Sequence, residues 1–132
     1  MSRERSTKLT KVKDLSATAG TAVNSDSVDM LGYDEVWFFG NMASKDAANS
    51  ANLASSTDDS SFTDITGSEV IPSTNNYSWL LTAQASGNDR YIRCEVDRGG
   101  TNSVLGEIYA VQFRARKGPV THGSTIEADY VV

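Results

Sequence analysis

Short apolar or alternating runs, separated by clusters of Gly, Asn, Asp and Ser, recur along the whole chain, while helical periodicity is nearly absent. A chain patterned this way can bury its apolar side chains only by pairing strands. The clearest run is Tyr91-Ile92-Arg93-Cys94-Glu95-Val96-Asp97-Arg98. Successive strand side chains point to opposite faces, so Ile92, Cys94 and Val96 are expected inside, with Arg93, Glu95 and Asp97 outside. Gly99-Gly100-Thr101-Asn102 then offers residues that tolerate positive φ, and Val104 to Arg116 reads as a second long strand. The pattern predicts a hairpin between the two. Within the second strand, Tyr109, Val111 and Phe113 share one face and Ile108 and Ala110 the other, so both faces of its central part are expected to be covered.

Upstream, Glu35-Val36-Trp37-Phe38-Phe39-Gly40 is a dense aromatic strand, and Tyr77 to Ala83 places Tyr77, Trp79, Leu81 and Ala83 on one face. These runs are expected to supply most of the core's bulk. Weaker strands are predicted at Leu9 to Leu15, Ser27 to Met30, Asn52 to Thr57 and Val70 to Ile71. Helix is expected at most as a turn near Lys45 to Ala51. About eight strands in one domain point to an all-β fold, an antiparallel two-sheet β-sandwich of jelly-roll type. Residues 14–117 form this domain, between an extended basic N-terminal arm, 1–13, and an extended C-terminal arm, 118–132, that Gly118, Pro119 and Gly123 keep from regular structure.

Composition removes whole classes of function. At 132 residues there is room for one domain, large enough to bury a core without staples. A single cysteine, Cys94, and a single histidine, His122, supply neither an intramolecular disulfide nor the ligands of a structural zinc site. Met1 to Lys13 lacks the apolar stretch of a signal peptide, and no run approaches the roughly 20 apolar residues of a membrane span. No cofactor and no membrane partner are therefore expected. The net charge of -5 disfavours nucleic acid as the main partner.

Charge is unevenly placed. Five basic residues precede Asp14 against one acid, then eleven acids up to Asp89 face only Lys45. A basic opening ahead of an acidic middle reads either as an arm that docks on an acidic surface or as a solvated tail. The C-terminal tail likewise either crosses to a neighbour or fills a groove on its own domain.

The chemistry available to these residues is thin. Covalent catalysis needs a nucleophile, a base and a group to orient the base. His122 sits in a Gly/Pro-rich tail and Cys94 within a buried alternation, so neither is expected to be catalytic. Asp58, Asp59 and Asp64 lack the order of a calcium loop and read as a polar hairpin tip. Arg98-Gly99-Gly100-Thr101 is too short for a phosphate loop. Trp37, Phe38, Phe39, Tyr77 and Trp79 could stack on sugar rings, but their apolar strands place them in the core. The chain is read as a protein without enzymatic activity.

Four stretches resemble a family of small tailed-phage and prophage virion structural proteins of the capsid decoration, or cement, type. They are Ser2-Arg3-Glu4-Arg5-Ser6-Thr7-Lys8-Leu9 leading to Asp14-Leu15-Ser16-Ala17, Asp26 to Tyr33, Ser56 to Ile65, and Arg90 to Arg93 through Arg114-Ala115-Arg116-Lys117-Gly118-Pro119-Val120-Thr121-His122-Gly123. The resemblance implies a compact β-sandwich on the virion surface, made in the host cytoplasm, that assembles with itself as a dimer or trimer and bridges capsomers of the major capsid protein. It supplies no individual binding residues. Charge clustering nominates Arg3, Arg5, Lys8, Lys11 and Lys13 of the first arm, and Arg114, Arg116 and Lys117 leading into Pro119, Val120, His122 and Tyr130 of the second. The alternatives are a neck or tail accessory protein and a virion-surface carbohydrate-binding module.

Overall fold

A computed structural model describes residues 6–116 and 121–127. Its strands are β1 (Lys8–Lys13), β2 (Ser16–Ala19), β3 (Val23–Asn24), β4 (Val28–Asp29), β5 (Glu35–Ser44), β6 (Ser50–Ser56), β7 (Thr63–Asp64), β8 (Ser78–Gln84), β9 (Tyr91–Asp97), β10 (Ser103–Leu105) and β11 (Ile108–Phe113). They form two antiparallel sheets, one of them curled into half a barrel. In the larger sheet β10 and β11 both pair with β5, β2 and β1 lie beyond them, and β8 lines the other side of β5. The smaller sheet places β3 and β4 against β9, β9 against β6, and β6 against β7.

The expected alternation holds where it was clearest. Ile92, Cys94 and Val96 are buried and meet Ala51 and Leu53 of β6, while Arg93 and Glu95 face outward. Across the sandwich the larger sheet answers with Val36, Phe38 and Met42 of β5, Trp79, Leu81 and Ala83 of β8, and Ile108 and Ala110 of β11. Each such large side chain contributes about 1.5–3 kcal/mol by leaving water. Gly40 faces inward opposite Trp79, and a Cβ there would lie 2.6 Å from the indole Cζ2, so this glycine makes room for the ring. Gln112 is the one polar side chain of the inward row of β11; its amide donates to Asp29 O at 2.8 Å.

The predicted hairpin between β9 and the following strand does not form. β9 lies in the smaller sheet, whereas β10 and β11 lie in the larger one. The Gly99 link does turn with positive φ, but it turns across the sandwich. Its crossing is fixed by polar contacts: the buried Arg98 guanidinium donates to Thr21 O at 2.6 Å and Ala17 O at 2.7 Å, and Asp46 Oδ2 accepts from Asn102 N–H at 2.8 Å. The long strand expected from Val104 to Arg116 is broken at Gly106, whose N–H turns to Asn41 O. No helix occupies Lys45 to Ala51; after a turn, Ser50 opens β6 and Ala51 is fully buried. Tyr77 precedes β8 and is 68% exposed, outside the core that Trp79 joins.

Where they are described, the terminal segments lie against the domain itself. Lys8–Lys13 is β1, an integral strand paired with β11. Beyond it, Gly123 N–H donates to Leu9 O at 2.9 Å and Leu9 N–H donates to His122 Nδ1 at 2.7 Å. The described part of the tail therefore covers the open edge of β1 in its own domain. A Cβ on Gly123 would sit 2.8 Å from Thr10 Cγ2, so the approach needs the missing side chain. Covering an edge in this way removes unpaired backbone groups from solvent.

Candidate interaction face

The two sheets present opposite chemistry to the outside. On the smaller one, Arg93 stacks 4.0 Å over the Phe62 ring and bonds Glu95 at 2.6 Å, while Asn52 donates to Asp64 at 3.1 Å. At the β6–β7 turn, Asp58 Oδ1 accepts from the Ser60 and Ser61 N–H groups and from the Ser56 hydroxyl; those bonds, the Ser61 one first, hold its carboxyl below the usual range. This is a solvated face closed by its own hydrogen bonds.

The larger sheet breaks the apolar-in, polar-out rule. Cross-strand register places Leu9, Val111, Trp37 and Thr82 in one outward row and Lys11, Tyr109, Phe39 and Leu80 in the next. Phe113 lies opposite Glu35 in a third. Trp37 and Phe113 meet edge to face with ring centroids 4.9 Å apart, and Phe39 stacks on Tyr109 at 5.7 Å. Trp37 nevertheless remains 38% exposed and Leu80 50% exposed. The expectation that β11 is covered on both faces is met on one side only: Ile108, Ala110 and Gln112 are buried, while Tyr109, Val111 and Phe113 are half-exposed.

Ion pairs rim the apolar rows at both ends. At one end Lys11 Nζ bridges Asp14 at 2.9 Å and Glu107 at 3.1 Å; Asp14 first, then Glu107, holds its ammonium above the ordinary lysine range. At the other, Arg114 reaches Glu35 at 3.2 Å and Asp34 at 3.4 Å, and Arg116 reaches Asp34 at 3.1 Å. Arg114 adopts a φ of 58°, the left-handed region, directly after β11. Behind that end an open cleft of about 590 Å³ is lined by Leu31, Tyr33, Asp34, Arg90, Arg114 and Arg116. Arg90 is clamped there by both oxygens of Asp29, at 2.8 and 2.7 Å, so each arginine of the cleft is already engaged by a carboxylate.

Of the nominated contact residues, Lys8, Lys11 and Lys13 lie on β1, Arg114 and Arg116 follow β11, and His122 lies against β1. The sheet brings Lys11 and the two arginines to opposite ends of one face. Arg3, Arg5, Lys117, Pro119, Val120 and Tyr130 lie outside the described residues. Charge clustering missed the face between those ends, Trp37, Phe39, Leu80, Tyr109 and Phe113. Its signal was present: Val36-Trp37-Phe38-Phe39 is apolar at consecutive positions, which in a strand means apolar side chains on both faces.

Among the described residues, no group of three or more His, Cys, Asp or Glu could hold a metal ion, and no helix is long and apolar enough to cross a membrane. Burial pushes the Cys94 thiol up to about 12, far from a reactive thiolate. His122 Nδ1 is occupied by a backbone N–H. No protein-family model matches this chain, and no curated protein matches it significantly.

Proposed function

We propose that the protein is a virion structural protein, a capsid decoration or cement protein that stabilises a shell by bridging copies of the major capsid protein, without catalysis. The observation that carries this reading is the asymmetry of the sandwich: one outer face closed by its own polar contacts, the other an aromatic surface partly exposed to water. Contiguous exposed apolar surface of this kind marks protein contact. A protein so built acts by burying surface in an assembly, and contributes stability only where the assembly exists.

Strand order adds support for the finer fold. With each broken strand counted once, the larger sheet runs β1/β2, β11/β10, β5, β8 and the smaller β3/β4, β9, β6, β7. This interleaving supports the reading of an eight-stranded jelly roll, an architecture used by viral capsid domains and by lectins. The resemblance of the sequence to cement proteins points the same way. Fold alone does not choose among functions, so the test must be made on particles. The stoichiometry of this chain in purified particles, measured against the major shell protein, is expected to be near one per shell subunit or a simple fraction of it. A handful of copies per particle would move the protein to the neck or tail, and absence from particles would reject a virion role.

A second reading, a carbohydrate-binding module on the virion surface, draws on the exposure of Trp37 and Tyr77. Burial of Trp79 removes one aromatic from that set. Titration with an array of soluble glycans, followed by Trp37 emission, would detect stacking directly.

A further inference from the structure

We propose that the outer face of the larger sheet is the two-fold interface of a homodimer. The proposal rests on the structural reading above and names the partner of its apolar face as a second copy of this chain.

Size is the first argument. Four strand courses spaced about 4.8 Å apart, along a β5 whose residues each rise about 3.4 Å, give a footprint on the order of 600 Å². That approaches the roughly 800 Å² which each partner contributes to an interface of standard size. The surface is also preformed, since Trp37 is held by Phe113 and its Nε1–H donates to Glu35 at 3.2 Å, and Phe39 is held by Tyr109. Little side-chain entropy remains to be lost on docking.

Charge selects the occupant. The chain carries a net charge of -5, so a second copy is repelled on average. On this face the repulsion is weaker, because the rim carries both signs and its three cations nearly offset its four carboxylates: Lys11 answers Asp14 and Glu107 at one end, and Arg114 and Arg116 answer Asp34 and Glu35 at the other. A two-fold interface uses the same patch twice and must therefore complement itself. A rim with both signs at each end meets that condition, whereas a rim of one sign would not. With the two-fold axis in the sheet plane and perpendicular to the strands, the Asp14 and Glu107 end of one copy faces the Arg114 and Arg116 end of the other. The two sheets then stack as layers of a sandwich do, about 10 Å apart.

Sedimentation velocity on the full chain, from about 1 to 200 µM, is expected to show a species of twice the 14.2 kDa chain mass. Leu80→Arg, at a half-exposed position, should leave the circular dichroism spectrum and melting temperature unchanged while raising the dimer dissociation constant at least about 100-fold, because the two-fold axis introduces the change twice. Ser60→Arg, at the β6–β7 turn of the other sheet, should leave dimerisation as it is. Acrylamide quenching of Trp37 should fall as the dimer forms, against the constant background of buried Trp79. A monomer throughout the range, a ring of three or more, or a dimer indifferent to Leu80→Arg would each overturn the proposal. Particle stoichiometry is read separately: a monomer present at high copy number would sink the dimer and leave the cement reading standing, and a dimer absent from particles would do the reverse.

Discussion

Removing the Arg98 guanidinium should loosen the crossing between the sheets more than any surface change. The side chain is only 5% exposed and ends on two backbone carbonyls, Thr21 O at 2.6 Å and Ala17 O at 2.7 Å. Arg98 itself lies directly after β9, so these bonds tie β2 and the β2–β3 connection to the point where the chain leaves the smaller sheet. Hydrogen bonds to charged groups contribute about 1.5–3 kcal/mol each, and a carbonyl left buried without a donor costs about 1–3 kcal/mol. Arg98→Met keeps much of the aliphatic packing and removes the cost of burying a charge, which offsets part of the loss. The net expectation is a destabilisation of about 2–4 kcal/mol. With an unfolding entropy near 2.1 cal/mol/K per residue, a loss of about 3 kcal/mol lowers the melting temperature by about 11 °C. Arg98→Lys should fall between, since an ammonium keeps the charge without the guanidinium's fixed fork. Thermal and urea denaturation followed by circular dichroism measure the loss, and hydrogen exchange should quicken over residues 16–24. A melting temperature within about 2 °C of the parent for Arg98→Met would refute the assigned role, because two charge-assisted bonds cannot vanish at so small a cost.

Phe38→Ala, at the fully buried centre of β5, should cost about 3–5 kcal/mol through lost transfer energy and a cavity, read as a fall in the urea midpoint at unchanged slope. The Arg90 guanidinium, the largest cause, holds Asp29 below the ordinary carboxylate value. A carboxylate depressed on folding stabilises above its unfolded value, near pH 4, and that contribution is lost as pH falls through the folded value. Acid titration should therefore show a stability loss below about pH 4 that Asp29→Asn diminishes, and an identical acid profile for the variant would count against the pair. Cys94 is fully buried with its thiol pushed up to about 12, so a thiol-specific chromogenic reagent should label it only as fast as the protein unfolds. Labelling of the native protein on mixing would contradict its placement.

Much of the fold was legible because alternation is a local signal. The period of two in β9 located Ile92, Cys94 and Val96 inside, and the runs from Glu35 and Tyr77 located β5 and β8. Short elements such as β3 and β7, two residues each, carry too few positions for a period to be visible. The candidate site was half legible. Charge clustering found Lys11, Arg114 and Arg116, which turned out to mark the two ends of a face, while the aromatic rows between them were assigned to the core. That assignment failed because an apolar run on both sides of a strand says that both faces are apolar, and does not say that the chain has enough layers to cover them.

The amino-acid sequence by itself determined an all-β protein, the inward row of β9 and the turn at Gly99. Only the tertiary structure decided that β9 and β11 occupy different sheets, that His122 and Gly123 cover the β1 edge, and that Trp37 and Leu80 stand half in water. The reason is physical. Side-chain periodicity is written along one strand, but the partner of a strand is chosen by long-range pairing that sets which faces are closed together, and the same alternation satisfies a hairpin and a crossing equally well.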